Sequence, residues 1–103
     1  IVSSASGETA QLIALAKKAR QLGGKVAVLT TNRQSTITEF CDVTVQINAP
    51  SKNQKQSSFC SSQPMASLYE QALLIISDAL IMKMAKESGS PEEELFRRHA
   101  TLE

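Results

Sequence analysis

The sequence predicts an α/β fold in which a parallel sheet is wrapped by helices. Short apolar runs rich in β-branched residues alternate with amphipathic stretches along the chain. Strands separated by helices need crossover connections, and crossovers make neighbouring strands parallel. The run "KVAVLTT" (25–31) is almost wholly apolar, the pattern of a strand covered on both faces.

Taken in order, Ile1-Val2-Ser3 reads as the end of a strand. From Thr9 to Leu22, Leu12, Ile13, Leu15, Ala16, Ala19 and Leu22 recur at spacings of three and four, which predicts an amphipathic helix. Lys17, Lys18 and Arg20 supply its wet face. Gly23-Gly24 ends it, since glycine accepts the left-handed backbone that a helix C-terminus often needs. After the 25–31 strand, Thr36 with Glu39 fits a capping box for a short helix. "DVTVQI" (42–47) alternates, with Val43, Val45 and Ile47 on one side, as expected of a strand nearer the sheet edge. No periodicity marks 48–66, a length at which loops usually act as lids or connections. Ser67 is placed to cap a long helix running to about Ser88, ended by Gly89. Ser90-Pro91-Glu92-Glu93 opens a last helix that carries Leu95 and Phe96 and closes near His99. A sheet of only about three strands is thin for this architecture. With the apolar start, it leads to the expectation that N-terminal strands are missing from this chain.

The 103 residues suit one domain with a modest core. Eleven Lys and Arg against ten Asp and Glu, spread along the chain, give no basic stripe for nucleic acid. The longest apolar stretch, 72–82, contains Ser77 and Asp78 and is too short to span a bilayer. Cys41 and Cys60 lie far apart, outside any metal-ligand spacing, and fit reduced thiols in a cytoplasmic protein. His99 is the single histidine, which argues against a local zinc site.

Four hydroxyl side chains crowd into "SSASGET" (3–9), where a strand ends and a helix begins. Ligands of open α/β sheets bind beyond the carboxyl ends of strands. The unpaired N–H groups and positive end of a helix suit an anion there. Ser4, Ser6 and Thr9 could donate to phosphate oxygens. Glu8 fits beside an anion only if its carboxylate turns outward. The bland reading is that Ser6 simply caps the helix; caps are the commoner feature, and composition alone favours it. Neither G-x-G-x-x-G nor G-x-x-x-x-G-K-[ST] occurs, which disfavours a nucleoside triphosphate.

Glu70 lies in the first turn of the long helix, whose apolar residues cover nearly every face. Such a helix belongs in a core or a subunit interface. The carboxylate there either gains from the helix dipole or acts as a general base at the rim of a partly desolvated cleft.

"SSASGET", followed by "QPMASLYEQALLIISDALIMKMA" (63–85) and the closing "RRHATLE" (97–103), resembles the sugar isomerase (SIS) domain family, and within it the 6-phospho-3-hexuloisomerase branch. The resemblance covers essentially the whole chain, as the C-terminal part of a single domain (1–103). It implies a flavodoxin-like three-layer α/β/α fold on a five-stranded parallel sheet. The implied reaction interconverts 3-hexulose 6-phosphate and fructose 6-phosphate through a cis-enediol, in the ribulose monophosphate route of formaldehyde fixation. It implies no metal or redox cofactor, and a dimer or tetramer with active sites at subunit boundaries. Carried over by position, Ser4, Ser6 and Thr9 match phosphate-contacting hydroxyls, with the backbone of Ala5, Gly7 and Glu8 completing the cradle. Glu70 matches the proton acceptor, and a further catalytic histidine is expected upstream of this segment. Ala66 stands where relatives often have glycine, and Tyr69 where many have phenylalanine.

Other residues read more simply. His99 is expected to pack at the end of the last helix rather than act in acid–base chemistry. Asp78, alone in an apolar run, is expected to form a structural or interface salt bridge rather than to act in catalysis. Lys52 and Lys55 read as solvated loop lysines. A different class of function, a sugar-phosphate sensor within a transcription regulator, would need a DNA-binding helix-turn-helix that these residues lack. Other sugar-phosphate isomerases that share the hydroxyl loop fit the Glu70 segment and the tail less well. A 103-residue piece with open sheet edges is expected to be weakly stable in isolation.

Overall fold

The structure is a computed structural model and describes residues 1–51, 59–89 and Arg97. Strand β1 (Val2–Ser3) leads to helix α1 (Ala10–Gln21), strand β2 (Ala27–Thr30), a short 3-10 helix (Thr36–Phe40), strand β3 (Val43–Gln46) and helix α2 (Ser67–Ser88). The expected 90–99 helix with Leu95, Phe96 and His99, and the loop lysines Lys52 and Lys55, lie outside the described residues; Arg97 is helical. The chain forms two compact units, Ile1–Leu73 and Leu74–Glu103. Among the described residues, no helix is long and apolar enough to cross a membrane.

In the first unit the three strands lie in the order β1-β2-β3, all parallel. Val2 faces Val28 across β1 and β2, and Ala27 to Thr30 pair with Val43 to Gln46 across β2 and β3. Successive strand side chains point to opposite faces, and Val28, Leu29 and Thr30 are all buried. The apolar 25–31 run is therefore the central strand, covered on both faces as its composition predicts. β3 is the edge strand: Ile47 is buried, while Val43 and Val45 on the same side remain exposed. The core joins Ala16 of α1 to Val26, Val28 and Ile37, with Leu12 and Ile13 packed against it. Leu15 and Leu22 lie at one margin of the α1 stripe and stay exposed.

Caps differ from the local sequence rules. Thr9 is the N-cap of α1 and makes no side-chain capping bond. The Ser6 hydroxyl instead accepts from Glu8 N–H at 3.2 Å, too early in the chain to reach the helix. Ser35, not Thr36, is the N-cap of the 3-10 helix, and its hydroxyl donates to the Asn32 carbonyl at 2.8 Å. The expected Thr36–Glu39 box is replaced by a distant carboxylate, Glu8, which accepts from Thr36 N–H and Oγ1. The Ser67 hydroxyl donates backward to the Pro64 carbonyl at 2.7 Å. Gly23 ends α1 as expected, with φ +80° and its N–H on the Arg20 carbonyl. Met65, just before α2, has φ 54°, a conformation in which a side chain is crowded.

Asp42 ties three elements together. Its carboxylate accepts from Val26 N–H at 2.8 Å and pairs with Arg20 at 3.0 Å and Lys25 at 3.3 Å. This joins the end of α1 to the entries of β2 and β3.

In the second unit, the continuation of α2 leaves Leu74, Ile75, Ile81, Met82 and Met84 exposed. Asp78, expected in a structural or interface salt bridge, is exposed in this chain. Lys83 and Glu87 pair across one turn at 3.7 Å. Cys41 and Cys60 are free thiols.

The Val26 backbone bond, then Lys25 and Arg20, hold the Asp42 carboxyl below its ordinary value of 3.8. A depressed folded pKa means that the Asp42 contribution is present above that ordinary value and is lost as pH falls through the folded one. Asp42→Asn is therefore expected to lower Tm at pH 7, with the gap to the parent closing in acid below pH 3.8. Thermal unfolding followed by circular dichroism across pH 2–7 checks this; a pH-independent gap contradicts it.

Candidate active site

The loop that leaves the carboxyl end of β1 is shaped by bonds to its own atoms and to β2. Ser4 N–H donates to the Leu29 carbonyl at 3.0 Å, which extends the strand pairing by one residue. The Ala5 carbonyl then accepts three bonds: Thr31 N–H at 3.0 Å, Thr31 Oγ1 at 2.8 Å and Thr30 Oγ1 at 3.2 Å. Gly7 N–H reaches the Ser4 carbonyl at 3.2 Å and the Ser4 hydroxyl at 3.1 Å, and the Ser4 hydroxyl also meets Thr9 Oγ1 at 3.2 Å. Ile37 N–H donates to the Gly7 carbonyl at 3.1 Å, docking the loop on the 3-10 helix.

Gly7 has φ +71°, and a Cβ added there would overlap the Ser35 hydroxyl. Glycine is required twice over, by backbone sign and by space. Beside it, the Glu8 carboxylate accepts from Thr36 Oγ1 at 2.6 Å and Thr36 N–H at 2.9 Å. The hydroxyl bond and then the backbone bond hold its pKa below the ordinary 4.5. The charge that looked out of place beside an anion is thus turned onto another helix end.

A cavity of about 340 Å³ opens beside this loop, near the low end of small-ligand sites. Ser4, Ala5, Ser6 and Thr9 line one part, and Tyr69 and Glu70 from the first turn of α2 line another. All belong to the first unit. Four of the six expected loop residues therefore share a cavity with Glu70, whereas Gly7 and Glu8 shape the loop without lining it. Their N–H groups are held by the Ser4 and Ser6 hydroxyls. Leu12 and Leu73 add apolar wall. The Glu70 side chain is exposed, and its N–H donates to the Ala66 carbonyl at 3.0 Å in the first helical turn. Hydroxyls at the start of α1 and a carboxylate at the start of α2 thus face common space, suited to an anionic group on one side and proton abstraction on the other. Among the described residues no group of three or more His, Cys, Asp or Glu side chains is placed to hold a metal ion.

Tyr69 plays a larger part than sequence reasoning gave it. It is buried, and its hydroxyl donates to the Leu29 carbonyl at 2.9 Å, forty positions back along the chain. The signal available was a tyrosine directly before Glu70 in an otherwise aliphatic helix.

Comparison with known proteins finds relatives of this chain in sequence and in fold. The family model described as SIS domain matches residues 1–75. All 103 residues align at 43% identity with the 3-hexulose-6-phosphate isomerase of Bacillus subtilis, covering 56% of that protein. The enzyme of the same name from Mycobacterium gastri is 34% identical over 103 residues, all of this chain and 51% of that protein. The chain spans about half the length of the curated relatives it matches. A crystal structure of a hypothetical protein superposes with TM-score 0.77 at 25% identity, over 98% of this chain and 54% of that one. Another hypothetical protein, from Methanococcus jannaschii, superposes with TM-score 0.75 at 24% identity, over 99% of this chain and 53% of that one, and shows the shared fold.

Gly7→Ala is expected to cost about 1–3 kcal/mol, the scale of a residue forced into a sparsely populated backbone region. The buried Ser35 cannot yield space without losing its bond to Asn32. Urea unfolding of the variant measures this, and a change within 0.5 kcal/mol, the usual scatter of neutral surface substitutions, contradicts it.

Proposed function

The chain belongs to the SIS domain family, and on that premise we propose that it is the C-terminal part of one such domain in an isomerase that interconverts 3-hexulose 6-phosphate and fructose 6-phosphate. The observation that carries the reading is the single cavity shared by Ser4, Ser6, Thr9 and Glu70. The names of the Bacillus and Mycobacterium relatives support the choice of substrate.

In this reading the 6-phosphate sits against the Ser4–Thr9 loop, with hydroxyls of Ser4, Ser6 and Thr9 and the N–H of Ala5 as donors. The phosphate displaces the Ser4 and Ser6 hydroxyls as acceptors for Gly7 and Glu8 N–H, so a preformed set of bonds is exchanged. Anchoring the unreactive end positions the reacting carbons and lowers the entropic part of the barrier. Glu70 takes the proton from C2 of the 3-ketose. The C2–H electrons form the C2=C3 bond, and the C3 carbonyl oxygen gains a proton to give the cis-enediol. Glu70 then returns a proton to C3, and the O2 proton passes to solvent in place of the one that solvent gave to O3, which leaves the carbonyl at C2. The Glu70 carboxylate alternates between base and acid, with no net electron transfer.

The enzyme is proposed to be cytoplasmic, to serve the ribulose monophosphate route, and to assemble as a dimer or tetramer with active sites at subunit boundaries. The exposed apolar side chains of α2 support assembly, since contiguous apolar surface favours association. Light scattering of the full-length protein is expected to show a dimer or larger, and a monomer at all concentrations contradicts this.

For the chemistry, fructose 6-phosphate in deuterated water is expected to take up deuterium at C3 with the full-length protein, followed by NMR. Glu70→Gln is expected to lower this exchange by at least about 10³-fold, in line with general-base catalysis, with phosphate affinity retained. Binding without exchange by the parent protein identifies a sensor instead, and exchange by the Gln variant at the parent rate removes Glu70 from the chemistry.

A further inference from the structure

The Leu29 carbonyl lies at the carboxyl end of the central strand and accepts two bonds, one from each side of the cavity. Ser4 N–H, the first donor of the hydroxyl loop, reaches it at 3.0 Å, and the Tyr69 hydroxyl at 2.9 Å. A carbonyl oxygen has two lone pairs and can hold both. Tyr69 is the residue next to Glu70, and both lie in the first turn of α2. The loop and the carboxylate are therefore referenced to one atom of a buried strand.

The two sides do not depend on that atom equally. The loop is also fixed by three bonds to the Ala5 carbonyl, by Ile37 N–H on the Gly7 carbonyl and by the Glu8–Thr36 pair. At the first turn of α2, Ala66 and Tyr69 are buried, and among the described hydrogen bonds the one that reaches the sheet comes from the Tyr69 hydroxyl. Met65 before it carries a left-handed backbone, Ser67 turns its hydroxyl back to Pro64, and Glu70 itself is exposed. Burial pushes the pKa of the Tyr69 hydroxyl up, so it remains a donor throughout the neutral range. Phenylalanine would fill the same volume without this bond.

We propose that Tyr69 is a positioning residue: its hydroxyl, by sharing the Leu29 carbonyl with the Ser4 N–H, fixes the start of α2 so that Glu70 stands at a set distance from the hydroxyl loop. The inference rests on the isomerase reading for its catalytic consequence, while its structural core concerns the helix start alone. Losing the hydroxyl also removes its contacts with the Ser3 side chain and the Ser4 backbone, but the bonds at Ala5, Gly7 and Glu8 keep the rest of the loop in place while the carboxylate wanders. A small misplacement of a reacting group costs rate more than affinity.

The test is Tyr69→Phe in the full-length protein, with two readouts. In the first, kcat for fructose 6-phosphate is expected to fall about tenfold, with KM and the inhibition constant of inorganic phosphate within about twofold of the parent; a tenfold loss is the scale of a modest misalignment. In the second, amide hydrogen exchange at residues 66–70 is expected to rise about tenfold, with Gly7 and Ile37 unchanged, as for loss of one local anchor. Parent-like exchange at 66–70 overturns the proposal, as does a kcat equal to the parent's or a parallel rise in KM and in the phosphate inhibition constant. A variant that fails to fold overturns it too, because the hydroxyl then acts on stability. If the parent shows no turnover, or Glu70→Gln matches it, the isomerase reading fails, and the amide exchange still decides the role of Tyr69.

Discussion

The carboxyl end of β2 is the fixed point from which the rest of the first unit is arranged. Three donors from Thr30 and Thr31 converge on the Ala5 carbonyl, and the Leu29 carbonyl holds both Ser4 and Tyr69. Backbone groups in a buried setting must find partners, and here those partners belong to a loop and a helix distant in sequence. The strand can serve this way because both of its faces are covered and β1 and β3 flank it. A residue in the middle of a sheet has little freedom, so groups bonded to it inherit that rigidity.

Strand and helix placement was legible from apolar spacing, because periodicity reports which face must leave water. The parallel order followed from crossovers, and the central position of 25–31 from its unbroken apolarity. Capping was legible only in part. Ser6, Thr36 and Ser67 all have capping chemistry, yet each hydroxyl is engaged elsewhere, and a carboxylate 28 positions away supplies the donor's partner at Thr36. Local rules see neighbours in the chain; a crossover brings in competitors they cannot count. The exposure of Asp78 was hidden for a similar reason, since an apolar run fixes what surrounds a charge in sequence but not which side of the helix meets solvent.

In the candidate site, hydroxyl clustering before a helix and a carboxylate after a loop were both visible as chemistry, and the fold gives them common space. Their family likeness could be read from the same residues. The division of labour within the loop could not. Gly7 and Glu8 shape it and Ser4, Ala5, Ser6 and Thr9 face the cavity, a distinction set by φ at one residue and by contact with Ser35. The acceptor of the Tyr69 hydroxyl was not legible because it is a backbone atom, which carries no mark in a sequence.

The bond between Glu8 and Thr36 has a consequence for how such chains can diverge. An acidic side chain beside a loop proposed to take an anion is best tolerated while another group claims its charge. Thr36 does so with both its backbone and its hydroxyl. Exchange of Thr36 for valine would keep the shape but withdraw the shorter of the two bonds, leaving the carboxylate held by the Thr36 N–H alone. Positions 8 and 36 are thus coupled in this chain: the acid at the first depends on the hydroxyl at the second for the shorter of its two bonds.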